Sequence, residues 1–241
     1  LFNGHPDVAH EWTMSYHISG DAFVAHFVIS MIGILALVGA SIASIVLQGG
    51  IKVGVAEGLP LILGCVCLVF VPFWILMYVM WNTRVIVDGA NDNLTGCYMG
   101  ITVMKALHDE GIEFENTEVG VLITGSEEAG IRGARAWAKR HGASGDYKDV
   151  ETLIYAYDTL REGKFLCVNK KDLNNTVNAD KHASELFYNA AKSIDIQCSY
   201  GSVPLGATDS AAFNKGGYQA VGITALDHKL RNYYHTRYDT Y

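Results

Sequence analysis

The sequence predicts an α/β protein: a three-layer sandwich around a mostly parallel mixed sheet, interrupted by a hairpin of two apolar helices. Two observations carry this. From Val85 onward, short β-type runs alternate with segments of helical periodicity, the pattern of a sheet covered by helices. Before that point charge almost vanishes. Of 18 basic and 25 acidic residues in a chain of 241, only Lys52, Arg84, Asp7, Glu11, Asp21 and Glu57 precede position 85. The formal net charge of -7 leaves no electrostatic footprint for nucleic acid, so that partner class is excluded.

The elements follow in order. Leu1-Phe2-Asn3-Gly4 is the apolar end of a buried strand that runs into the loop His5-Pro6-Asp7. Residues 22–47 carry no formal charge and residues 59–81 none at all. A bilayer core of about 30 Å needs about 20 helical residues, so each segment is long enough to cross, and neither shows the polar face of a soluble core helix. The reading is a transmembrane hairpin inserted at 22–81, with 1–21 and 82–241 forming the other domain. Ala36, Ala40 and Ser44, and likewise Gly39 and Ala43, put small residues at four-residue spacing. Such stripes allow close helix contact in lipid and make the hairpin a surface for homo-oligomers as well. The linker from Gln48 to Gly58 holds one Lys and one Glu, too little to set an orientation.

In the second part, Val85-Ile86-Val87 is a short strand leading to a turn-rich Asp88–Asn93 loop. A helix is expected over Thr95–Glu110, with Met99, Val103 and Leu107 on one face, closed by Gly111. Strands are expected at Glu118–Thr124, Thr152–Tyr157 and Tyr218–Ala225. Helices are expected at Gly130–His141, Asp180–Asp195 and Asp209–Lys215. The five cysteines form neither a disulfide framework nor a CxxC pattern, which points to a reducing compartment, hence a cytoplasmic catalytic domain on an integral membrane protein. The chain opens on a strand without Met and reads as N-terminally incomplete.

Metal-type ligands cluster at strand ends: His5 and Asp7, Asp92, Glu127-Glu128, Asp158 and His235. In open α/β sheets, ligands bind beyond the carboxyl ends of the strands, so these residues are expected on one rim. Two histidines with three carboxylates form an N/O donor set that suits zinc. One carboxylate can bridge two ions, and of two adjacent glutamates one can bind metal while the other stays free as a base.

Five pieces, Gly4-His5-Pro6-Asp7, Gly89–Asn93, Gly125-Ser126-Glu127-Glu128-Ala129-Gly130, Tyr157-Asp158-Thr159 and Tyr234–Thr240, resemble in order the M28 zinc peptidases. This is a zinc exopeptidase family of aminopeptidase type with two zinc ions per chain. The resemblance implies that Asp92 bridges the ions, that His5 and Asp158 complete one and Glu128 and His235 the other. It implies Glu127 as general base and later general acid, and Asp7 as the partner that orients His5. A peptide is then the substrate, and the bilayer the partner of residues 22–81. A carboxypeptidase or a glutaminyl-cyclase-like enzyme on the same scaffold, or a non-catalytic membrane adaptor, are the rival readings. The chain departs from the family in one respect: the hairpin separates His5 from Asp92 by 87 positions, an insertion that loop-closure entropy tolerates. That position is expected to bring the membrane surface to the catalytic rim and to favour peptides near it.

Overall fold

The computed structural model describes residues 1–5, 10–12, 20–51, 57–142, 145–227 and 233–240, with backbone alone at 10–12 and 20–24. The described residues fall into two compact units, one drawn from stretches 1–9, 86–228 and 233–241, the other from 10–85 and 229–232.

The first unit is a three-layer α/β sandwich. Its sheet runs β4 (Val121–Ile123), β1 (Phe2–Gly4), β5 (Leu153–Asp158), β9 (Gln219–Thr224), β6 (Cys167–Asp172) and β7 (Val177–Asn178), with β8 (Ser199–Ser202) also paired to β6. The ladders β4–β1, β1–β5, β5–β9 and β6–β8 are parallel, whereas β6 runs antiparallel to β9 and β7. Because β4, β1, β5 and β9 run the same way, their carboxyl ends share one edge of the sheet.

One face of the sheet is covered by α5 (Arg132–His141) and α7 (Asp209–Lys215), which bury Ile131, Ala134, Ala138, Ala212 and Phe213 against Ile154 and Ala220. The other is covered by α4 (Thr95–Asp109) and α6 (Lys181–Ser193). There Tyr157, Val168, Val221 and Ile223 meet Ala183, Phe187 and Phe2. Alternate residues of β5 thus feed opposite layers, as the period of two requires. Asp180 caps α6 by accepting the Ala183 N–H (2.8 Å), and Thr208 caps α7 by accepting that of Ser210.

Some expectations shift. Strands β6, β7 and β8 are absent from the sequence reading. Residues 167–172 read Cys-Val-Asn-Lys-Lys-Asp, buried at Cys167, Val168, Asn169 and Asp172 with no period of two, and their strand exists because β9 offers an open edge. Helix α4 buries Gly96, Cys97 and Gly100 and half-buries Val103 and Leu107, whereas Met99 is 40% exposed and falls outside this face. Backbone contact governs that face. A Cβ on Gly4 would lie 2.6 Å from the Cys97 nitrogen, and one on Gly96 would lie 2.5 Å from the Tyr157 carbonyl oxygen. Only glycine lets the start of α4 close onto the ends of β1 and β5.

The second unit holds α1 (Gly20–Leu47), α2 (Leu59–Cys67) and α3 (Val71–Met80), the last two joined by a 3-10 turn at Leu68–Phe70. Pro72 lies in the first turn of α3, where its missing N–H costs least. Strand β3 (Trp81–Ile86) follows and pairs with β2 (His10–Trp12), a pairing absent from the sequence reading. Between α1 and the other helices the residues are small: Ser30 and Gly33 are buried, and Ala36, Ala40, Ala43 and Ser44 are half-buried. Gly33 meets the Phe70 ring, and Ala36, Ala40 and Ser44 are all half-buried, whereas of the second stripe Ala43 is half-buried and Gly39 faces open space. His26 Nε2 lies 2.9 Å from the Phe73 carbonyl oxygen, and the Trp74 indole N–H donates to the Ser30 carbonyl (3.1 Å). The large residues point outward, with Leu35 69%, Val38 51% and Ile42 58% exposed. By length and composition, Ala25–Leu47 and Leu59–Met80 each suffice to cross a membrane.

Candidate metal centre

The shared carboxyl edge delivers the candidate residues. His5 follows β1, Glu127 and Glu128 follow β4, Asp158 ends β5, and His235 lies in the segment after β9. Asp92 sits in the turn that precedes α4. Asp7 lies outside the described residues.

The remaining six form two groups, His5 with Glu127 and Asp158, and Asp92 with Glu128 and His235, each with donor atoms within 4.8 Å of one another. His5 Nε2 lies 3.6 Å from Glu127 Oε2, 3.9 Å from Asp158 Oδ2 and 3.9 Å from Asp92 Oδ1. His235 Nε2 lies 2.9 Å from Asp92 Oδ2 and 3.6 Å from Glu128 Oε1. The two oxygens of Asp92 therefore face two different imidazoles. Glu127 falls in the His5 group, where sequence reasoning had kept it apart as a base; its position allows either role.

The electrostatics describe a cluster short of positive charge. Burial, followed by the neighbouring Asp158, Glu128 and Asp209, pushes Glu127 up to about 10 despite His5. Burial and Asp92 push Glu128 to about 7 against the pull of His235. Burial raises Asp158 to about 6, although its hydrogen bond to His5 opposes this. Burial disfavours the charged form of His235, yet the hydrogen bond and charge of Asp92, with Glu128 and Asp158 behind it, leave it raised. Buried carboxyl groups gathered around two imidazoles form an oxygen-and-nitrogen donor set of the kind that suits divalent zinc, and a cation held there would oppose these upward shifts.

The loop that carries Asp92 is fixed by residues the sequence reading did not single out. Asn93 Nδ2 donates to the Tyr157 carbonyl (2.7 Å), and its Oδ1 accepts the N–H of Gly96 (3.0 Å) and of Thr159 (3.2 Å). Asn93 thus grips the backbone on both sides of Asp158. Asn91 Oδ1 accepts the Arg161 N–H (2.9 Å). Asp239 accepts the N–H groups of Asn91 (2.8 Å) and Asp92 (3.0 Å). Below His5, Asn3 Nδ2 donates to Thr124 Oγ1 (3.1 Å), and Thr124 donates to the buried Asp209 at the start of α7. Apart from Gly96 these partners lie far away in the chain, and although Asn91, Asn93 and Asp239 fall inside the stretches that carry the family resemblance, their spacing does not tell what they bind.

Comparison with known proteins agrees with this architecture. Among solved structures, the chain is similar to BSAP, a zinc aminopeptidase from Bacillus subtilis, at 22% identity and a TM-score of 0.52, over 64% of this chain and 37% of that one. It is also similar to LapB from Legionella pneumophila, at 15% identity and a TM-score of 0.53, over 64% of this chain and 41% of that one. The chain therefore spans about two fifths of the length of these structures, and at such identities the likeness concerns the fold. No curated protein sequence matches it. The model of peptidase family M28 matches residues 77–241, more than half of the sequence and all of the candidate centre except His5. With its sheet order, its donor clusters and this match together, the chain belongs to peptidase family M28.

Proposed function

We propose that this protein is a membrane-attached zinc metallopeptidase that removes N-terminal residues from peptides. The observation that carries the reading is the Asp92 carboxylate, which presents one oxygen to the group of His5 and the other to the group of His235. His5, Asp158 and Asp92 would hold one ion, and Glu128, His235 and Asp92 a second.

Zinc, when bound, supplies a Lewis acid that polarises a carbonyl and brings the pKa of water towards about 7. Glu127 accepts the proton of the attacking water and returns it to the departing amine nitrogen. A cation held beside Glu127 would act against the burial that raises it and so favour the ionised form that accepts a proton. The likeness to the zinc aminopeptidase BSAP supports reading the substrate as a peptide with a free N-terminus. Asp7 retains its proposed role as the group that orients the His5 ring.

Residues 1–21 and 82–241 form the peptidase domain in this reading, and 22–81 an inserted membrane anchor. Small residues inside the helical unit and large apolar residues outside support the anchor, because this inverts the arrangement of a water-soluble core. Only 11% and 6% of the two candidate spans is buried.

The decisive experiment combines zinc analysis with a panel of aminoacyl amides, N-blocked peptides and N-terminal glutaminyl peptides. Two zinc ions per chain and hydrolysis of free N-termini alone are expected. One zinc with cyclisation of glutaminyl peptides, or cleavage of blocked peptides from the carboxyl end, would replace the reading with a rival. Resistance to alkaline carbonate extraction tests the anchor.

A further inference from the structure

We propose that Asp239 is a positioning residue of the metal centre, holding the Asp92 loop in place through three consecutive backbone N–H groups. The proposal rests on the reading of Asp92 as the shared ligand and adds the residue that keeps it in register.

Asp239 is 1% exposed and lies four residues after His235. Its Oδ1 accepts the Asn91 N–H at 2.8 Å, its Oδ2 accepts the Asp92 N–H at 3.0 Å, and its own carbonyl accepts the Ala90 N–H at 3.2 Å. Three successive peptide groups of one loop thus end on a single residue. The segment that contributes His235 as a ligand also fixes the backbone of the ligand that His235 faces at 2.9 Å. Displacing either would displace the other.

The chemistry of the contact requires a carboxylate. Both partners are N–H donors, and an ionised carboxylate is acceptor-only. An Asn at 239 would offer one oxygen and one amino group, so that one N–H of the loop would face another donor. A buried unmade bond then pushes the loop away from the position it holds now. Asn91 and Asn93 tie the same loop to the backbone around Asp158, so a shift at Asp239 reaches both groups of donors. Groups that hold a metal ligand in place in this manner typically govern affinity by 10–100-fold.

The test uses the full chain in detergent micelles. Zinc affinity is measured by competition with a chromophoric chelator, and coordination by the visible spectrum of the cobalt(II)-substituted protein. Asp239→Asn is expected to bind zinc about 10–100-fold more weakly, with an altered cobalt spectrum. Asp180→Ala, which removes the cap of α6, is expected to lower stability while leaving both readouts unchanged. A second measurement needs no variant: in the zinc-free parent, the amides of Asn91 and Asp92 are expected to exchange hydrogen far more slowly than those of the exposed residues 113–116. Parent-like affinity and spectrum in Asp239→Asn would overturn the proposal, as would fast exchange at Asn91 and Asp92. If the parent itself takes up no zinc, the metallopeptidase reading fails, and the exchange rates still decide whether Asp239 anchors the loop.

Discussion

Asp92 Oδ2 lies 2.9 Å from His235 Nε2, although 143 positions separate the two residues. The contact joins the turn before α4 to the segment after β9, and closes one of the two donor groups.

Glu127→Gln removes the proton acceptor and keeps the shape. Turnover of an aminoacyl amide is expected to fall by about 10²–10⁴, the usual share of a general base. Zinc content, measured in parallel, is expected to stay at two per chain. Parent-like turnover would remove Glu127 from the mechanism, and loss of one zinc would make it a ligand.

Replacing ligands separates the two ions. His235→Ala is expected to retain one zinc, held by His5, Asp158 and Asp92, whereas Asp92→Ala loses a donor from both groups and is expected to retain neither with high affinity. Elemental analysis after dialysis reads this directly. Equal stoichiometry in the two variants would argue against a shared carboxylate.

Zinc-free protein is expected to lose stability as pH rises. Asp158 moves from an ordinary 3.8 to about 6, Glu128 from 4.5 to about 7, and Glu127 from 4.5 to about 10. Between each pair of values the folded chain holds more protons than the unfolded one, so stability falls with pH from about 4 upward. The raised His235 acts in the same direction above 6.5. Thermal scans in a chelator are therefore expected to give a lower Tm at pH 8 than at pH 5. Added zinc is expected to raise Tm more at pH 8. A Tm that climbs between these values would contradict the crowded cluster.

Gly96→Ala forces a methyl group against the Tyr157 carbonyl and the Asn93 side chain. Overpacking of this kind costs about 1–3 kcal/mol. It also pushes on the groups that hold Asp92 and Asp158. A lowered denaturation midpoint together with weaker zinc uptake is expected. Destabilisation with unchanged zinc affinity would show that the contact supports α4 alone.

Leu35→Arg combined with Val38→Arg tests the outward face of α1. In lipid each charge near the middle of the span costs about 2.5–3.5 kcal/mol, whereas on a wetted surface it costs little. Loss of the protein from carbonate-washed membranes is expected. An unaffected membrane fraction would place those positions in contact with water or protein.

Much of the architecture was legible in the sequence because it follows local rules. The runs at Leu153–Asp158 and Gln219–Thr224 are apolar, and helices α5, α6 and α7 carry regular faces with caps at Asp180 and Thr208. Ligands placed just after apolar runs converge once the strands are parallel, so the rim of His5, Glu127, Glu128, Asp158 and His235 could be anticipated. Residues 167–172 could not, since Lys170 and Lys171 break any alternation and the strand is stabilised by the edge of β9. Nor could the exposure of Met99 beside the half-buried Val103 and Leu107, because α4 approaches β1 through glycine and the small residues define where its buried face begins.

The sequence by itself determined which metal-type side chains stand at the strand ends and which segments are long and apolar enough to span a bilayer, for both depend on residue type and spacing along the chain. Tertiary structure alone decided how those side chains are held. Asn93 gripping the backbone around Asp158, Thr124 joining Asn3 to Asp209, and Asp239 receiving the Asp92 loop are hydrogen bonds between residues 64 to 147 positions apart. Such bonds depend on direction and distance in space, and composition and periodicity encode neither.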